Sequence, residues 1–250
     1  ILPVGPTSYG DSPYQSFSSF AGNPYFIDLD DLAAEGLLER EEYAPLDWGE
    51  DRSQVDYGLM YQNRYPVLRR ACARLDRSER GEFAAFCREQ KQWLEDYALF
   101  MALKGKFDGR SWQEWPEQLR LRRPGALAKA QTELAEETEF WKGVQYLFFK
   151  QWHALKQQAN QKGIAIIGDL PIYVSGDSAD VWANPEQFQL NEEGRPTEVA
   201  GCPPDGFSED GQLWGNPLFD WERMKKEGYA WWMRRIAFQF RIYDVLRIDH

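Results

Sequence analysis

Three side chains suited to chemistry stand close together in the segment Val-Leu-Arg-Ile-Asp-His, Val245 to His250. A short run of strand character leads into Arg247, Asp249 and His250. On a strand, alternate residues share a face, so Arg247 and Asp249 point to one side and Ile248 to the other. A guanidinium beside a carboxylate favours its charged form, which suits a nucleophile or a charge stabiliser. The same pair could also do no more than close the end of a strand. A second carboxylate, Asp169, follows the apolar run Ile164 to Ile167 and precedes Leu170-Pro171. It can reach the same pocket from a neighbouring strand, or simply cap the turn.

Parallel α/β folds put working residues at the C-terminal ends of strands, and the flanking sequence has that rhythm. A helix is expected over 136–161, with Trp141, Val144, Phe148, Trp152, Leu155 and Ala159 on one face and Gly163 as its stop. The run Ile164 to Ile167 then reads as a strand buried on both faces. A long polar loop over 175–219 follows, then a helix over 221–241 and a second buried strand, Asp244 to Asp249. Helix–strand–loop–helix–strand is the order of parallel βα units. Residues 1–4, Ile-Leu-Pro-Val, read as the tail of an earlier strand.

The residues ahead of these units differ in character. Gly5 to Ile27 carries one charge, Asp11, among Tyr9, Tyr14, Phe17, Phe20, Tyr25 and Phe26. Turn residues punctuate it, so it is either a loop folded over the core or one wall of a binding cleft. From Asp30 to Ala135 the chain is charged and helical. One helix is expected from an N-cap at Ser78 to a stop at Gly105, with Phe83, Phe86, Cys87, Trp93, Leu94, Tyr97, Phe100 and Met101 as a core stripe.

Composition removes several function classes. Lys and Arg number 29 against 40 Asp and Glu, a formal net charge of -11. With no long basic run, phosphate-driven nucleic-acid binding and attachment to anionic membranes are both disfavoured. No apolar run reaches the roughly 18 residues of a membrane span, and the start has no signal-peptide pattern. Cys72, Cys87 and Cys202 show neither disulfide-framework nor zinc spacing, which points to a reducing compartment, the cytoplasm. A metal held by Asp169, Asp249 and His250 is a poor reading. The chain has only two histidines, and His153 sits on a helix as an ordinary surface or packing residue. No metal or cofactor is expected.

Four long motifs sharpen the reading: Gly5 to Leu29, "IIGDLPIYVSGDSADVWANP" from Ile166, "PPDGFSEDGQLWGNPLFDW" from Pro203, and "LRIDH". Together, in this order, they resemble amylomaltase, the 4-α-glucanotransferase family (glycoside hydrolase family 77) of the α-amylase-like barrel enzymes. The resemblance implies an α/β fold, an incomplete (β/α)8 TIM barrel of about strands 2 to 4. Residues 1–250 would be part of the catalytic barrel, 30–135 a helical insertion and 170–220 a lid. It implies Asp249 as nucleophile with Arg247 as its partner, and Asp169 and Tyr14 as sugar contacts in the same subsite. Trp214, Gln212, Asp205, Ser12 and His250 would form the acceptor side, and Tyr9 part of a secondary glucan surface. Gly206 stands where relatives often carry a larger side chain, so the acceptor grip would differ here. The substrates would be α-1,4-glucans and maltooligosaccharides. Retaining transfer also needs an acid/base carboxyl roughly 5–5.5 Å from the nucleophile, and the resemblance puts that Glu and a further Asp beyond His250. The competing reading, a non-catalytic carbohydrate-binding module, has no need for Arg247 and Asp249 on one strand face, nor for Asp169.

Overall fold

The computed structural model describes residues 1–51, 53–78 and 81–249, without the side chain of Tyr9. Helices dominate the first two thirds: α1 (Leu29–Ala34), α2 (Tyr57–Ala73), α3 (Glu82–Glu89), α4 (Lys91–Lys106), α5 (Glu117–Arg120), α6 (Pro124–Glu133) and α7 (Ala135–Gln161). Asp28 and Asp56 start α1 and α2 as N-caps, their carboxylates accepting Asp31 N–H and Leu59 N–H. The helix expected from Ser78 to Gly105 is two helices. Gln90 ends α3, its N–H on Phe86 O, and also begins α4. Ser78 is no cap, because its hydroxyl donates to Asp76. Gly105 is no stop either. α4 closes through Asp108 and Gly109 in the left-handed region (φ 52° and 76°), where Gly109 N–H reaches Lys104 O.

α7 is the axis of the helical part. Its Phe140, Trp141, Val144, Leu147, Phe148 and Trp152 are buried, and α2, α3, α4 and α6 pack along it. Leu155, expected on the same face, is 53% exposed, because α7 outruns the elements that cover it. The stripe on α3 and α4 is core: Phe83, Leu94, Tyr97, Phe100 and Met101 are buried, with Phe86, Cys87 and Trp93 packed against them.

After α7 come β1 (Ile167–Pro171), α8 (Ala179–Ala183), β2 (Val199–Cys202), β3 (Gln212–Pro217), α9 (Trp221–Lys226), α10 (Ala230–Ile242) and β4 (Val245–Asp249). β1 and β4 are parallel, with Asp169 opposite Arg247 and Pro171 opposite Asp249. β1 lies later than expected, so Asp169 is mid-strand. The run before it is a lead-in held by Asn160, which donates to Ile164 O, and by Asp244, which accepts Ile166 N–H. Nor are the strands buried on both faces. Gly168, Asp169 and Leu170 are buried, but no residue of β4 is. Among the described residues β1 and β4 pair only with each other. Residues 1–4 form no strand, although Ile1 N donates to Ile167 O and Val4 N–H to the Tyr243 hydroxyl. Gly168 leaves room for that tyrosine, since a Cβ there would lie 2.2 Å from its ring.

The stretch expected as one polar loop over 175–219 holds α8 and an antiparallel β2–β3 hairpin. Val181, Trp182, Phe188 and Phe219 are buried in it, and Phe219 lies tilted to Phe188 and edge-on to Trp232 with ring centroids 5.2 Å away in each case. The helix expected over 221–241 is broken at Gly228 and Tyr229, both at positive φ. The result is a mixed α/β fold in which α10 packs on both α7 and β4 of a two-stranded parallel sheet.

Candidate functional site

The parallel register builds the centre of the site. Because Asp169 pairs with Arg247, one guanidinium reaches two carboxylates: Nη1 lies 2.9 Å from Asp169 Oδ1 and Nη2 lies 2.6 Å from Asp249 Oδ1. Both are charge-assisted hydrogen bonds, stronger than neutral ones. Asp169 is nearly sealed, with 7% of its side chain exposed against 61% for Arg247. Its other oxygen, Oδ2, accepts from the Tyr14 hydroxyl at 2.9 Å. Burial, then the hydrogen bond to Asp169 and the nearby carboxylates, raise the Tyr14 phenol above its ordinary pKa, while Arg247 pulls it down. Tyr14 is therefore a neutral donor.

Tyr14 is held by a local turn and by contacts beneath it. Gln15 N–H returns to Ser12 O at 3.1 Å, and Ser8 N–H closes on Gln15 O at 2.9 Å. Further along, Gly22 exchanges two hydrogen bonds with the buried amide of Gln145. Ala179 N–H donates to Phe17 O. This segment both covers the core, through Phe17 and Phe20, and walls a cleft, through Ser12 and Tyr14.

That cleft, of about 460 Å³, is lined by Ser12, Tyr14, Gln15, Tyr173, Gln212, Trp214, Asn216 and Asp249 among others. Trp214 Nε1 donates to Gln212 Oε1 at 2.9 Å, and its ring is tilted against Tyr173 with centroids 6.3 Å apart. Tyr173, Gln15 and Asn216 also line it without having been singled out from sequence. Gln15 Nε2 donates to Asn216 Oδ1 at 3.2 Å, and the buried Asn216 donates to Val174 O at 2.8 Å. Alternation along β3, where 212, 214 and 216 share a side, was the available signal for Asn216.

Five of the expected site residues, Ser12, Tyr14, Gln212, Trp214 and Asp249, thus meet at one cleft, with Asp169 and Arg247 bonded to Tyr14 and Asp249 behind it. Asp205 is not among them. Its carboxylate accepts the Phe207 and Ser208 N–H groups of its own exposed turn, at 2.8 and 2.9 Å. His250 and the Tyr9 side chain lie outside the described residues. Among the described residues no group of three or more His, Cys, Asp or Glu could hold a metal ion, and no helix is long and apolar enough to cross a membrane. Carboxylates, amides and aromatic faces around one opening suit a ligand with many hydroxyls and flat apolar faces.

A family model described as 4-alpha-glucanotransferase matches residues 1–250. The 4-alpha-glucanotransferases of Thermus thermophilus and Clostridium butyricum are 53% and 51% identical to this chain, matched over all of it and over 50% and 52% of themselves. The chain therefore spans about half the length of these curated relatives. Among solved structures, amylomaltase from Streptococcus agalactiae in complex with acarbose is similar with a TM-score of 0.95 and 45% identity, over all of this chain and 51% of that one. Amylomaltase from Corynebacterium glutamicum, at 24% identity, shares the fold with a TM-score of 0.72, over all of this chain and 35% of its own.

Proposed function

The chain belongs to the 4-alpha-glucanotransferase family, and from that premise we propose that it carries the nucleophile of a retaining transferase that moves α-1,4-glucan segments onto an acceptor sugar. In this reading residues 1–250 are part of a (β/α)8 catalytic barrel, 30–135 its helical insertion and 170–220 the lid over the acceptor side. The acarbose bound by the Streptococcus agalactiae neighbour supports maltooligosaccharide substrates. The three cysteines are free thiols, which supports a reducing compartment such as the cytoplasm.

Asp249 attacks the anomeric carbon of the donor. The bond from that carbon to the leaving glucan breaks as the carboxylate–carbon bond forms. A separate carboxylic acid, expected outside residues 1–250, gives its proton to the leaving oxygen and then takes one from the acceptor hydroxyl that displaces Asp249. Arg247, which donates to Asp249, keeps the nucleophile oriented. Asp169, fixed by Arg247 and Tyr14, accepts hydrogen bonds from hydroxyls of the ring being transferred, and Trp214 stacks under the acceptor. The observation that carries the reading is the chain Tyr14–Asp169–Arg247–Asp249, ending at a cleft lined by Trp214.

The test is Asp249→Asn in the complete protein that carries this chain. Maltotriose disproportionation should fall by several powers of ten while glucan binding, measured by calorimetry, stays close to that of the wild type. A variant keeping more than about a hundredth of the rate would remove Asp249 from the nucleophile's role.

A further inference from the structure

α10 presents two polar side chains to the interior. Arg235, 2% exposed, donates from Nη2 to Pro171 O at 2.6 Å and from Nη1 to Ile172 O at 3.0 Å. These are the last carbonyl of β1 and the one after it. Keeping a guanidinium there is expensive, since burial pushes its pKa down to about 10 and its Nε–H has no hydrogen-bond partner among the described residues. One turn on, Gln239 Nε2 donates to Ser19 O at 2.7 Å. The N–H of the same Ser19 goes to the buried carboxylate of Asp180 at 2.7 Å, which attracts Arg235.

The two grips fall on the two segments whose meeting makes the site. Pro171 lies two residues beyond Asp169 on the same strand, and Ser19 lies in the segment that carries Tyr14. Through Tyr243 and Asp244, α10 also runs directly into β4, which bears Arg247 and Asp249. We propose that α10 is the positioning element of the site, with Arg235 and Gln239 setting where Asp169 and Tyr14 stand relative to each other. The proposal rests on the transferase reading above and adds two positioning residues to it. Neither touches the cleft, so they act through the Tyr14–Asp169 hydrogen bond. Misplacement of about 1 Å at such a contact can cost on the order of a hundredfold in rate.

A double-mutant cycle in the complete protein separates positioning from plain stability. Arg235→Lys keeps the charge and loses the fork. It should lower kcat for maltotriose disproportionation by about tenfold or more, while KM changes less than about threefold. Tyr14→Phe should then reduce kcat by a factor at least about threefold smaller in the Arg235→Lys background than in the wild type, because the bond it deletes is already weakened. Rates are taken per folded molecule, with the folded fraction read by circular dichroism. Should Arg235→Lys fail to fold, Gln239→Met, which removes one neutral hydrogen bond, takes its place in the same cycle. Equal Tyr14→Phe factors in both backgrounds would overturn the inference and leave the transferase reading intact. An inactive wild-type protein would remove both together.

Discussion

At the scale of single residues, the centre of the site is one cation shared by two carboxylates, one of which also accepts from a phenol. Arg247 cannot be replaced by a point charge without giving up one of its two partners, since only a planar fork spans both. Trp214 sets the other side of the cleft. Trp214→Ala in the complete protein should weaken acceptor use more than donor cleavage and raise hydrolysis relative to transfer, because water then competes at a poorly filled subsite. Glucose release measured against redistribution of chain lengths checks this, and an unchanged ratio would make Trp214 a packing residue. The Arg247–Asp249 pair was legible because strand alternation is a local rule. The bonds from Asp169 to Arg247 and Tyr14 join residues 78 and 155 positions apart and depend on register, which no local pattern carries. Arg235 was missed because an Arg-Arg pair on a helix reads as solvated. The counter-signal was its place among Trp231, Trp232, Phe238 and Ile242, the buried side of α10.

At the scale of elements, α8 and α10 bring two buried charges together, and their energetics are readable through pH. Burial pushes the Asp180 carboxyl up to about 6 from the ordinary 3.8, against the Ser19 N–H and Arg235, which lower it. With the folded pKa above the unfolded one, the folded state binds the proton more tightly between these values. Stability from this group therefore rises as pH falls from about 6 towards 4, by on the order of 3 kcal/mol at about 1.4 kcal/mol per tenfold change in proton affinity. His153, with its pKa lowered by burial and then by Lys156 and Arg241, works the other way in part of this range. Glu42 does not interfere. Hydrogen bonds from Arg74 and the Glu39 backbone hold its pKa down to about 2, so its contribution is lost only at more acid pH. The readout is thus the stability of the wild type minus that of Asp180→Asn in urea titrations at pH 7 and pH 5. The difference should move in favour of the wild type at pH 5, and a constant difference would show that Asp180 holds no strained charge. Element types were largely legible, α7 almost to the residue. The breaks were less so. Gly228 announced the one before α10, but Gln90 carries no breaker chemistry, and the α3–α4 joint follows from how both helices must lie on α7.

At the scale of the whole molecule, the region expected as an insertion shares its core with α7, which leads directly into β1. Helical folding and sheet placement are therefore coupled through one helix. The sheet is the exposed partner: Ile167, Val245 and Ile248 are 54%, 48% and 56% exposed, and β1 and β4 each offer a second edge with unpaired backbone groups among the described residues. The 250-residue chain expressed by itself should keep its helical circular dichroism, self-associate on a sizing column and show no maltotriose disproportionation. An active, monodisperse monomer would overturn both the partial-barrel reading and the placing of the acid/base carboxyl outside this chain. Composition and motif order made the α/β class and the family legible. They could not foresee how much of the polar stretch over 175–219 would be built structure, because its order comes from Phe188 and Phe219 meeting Trp231 and Trp232 of a later helix.

The separation of Asp169 from Arg247 also sets a clock during synthesis. Ribosomes add roughly 5–20 residues each second, so the 78 positions between them amount to roughly 4–16 s in which Asp169 exists without its cation. By then α7 can pack on α2, α3, α4 and α6, while β1 has no β4 to pair with. The nascent chain spends that interval with a carboxylate beside a bare strand edge. A charge of one sign on such a segment disfavours pairing with another copy of it.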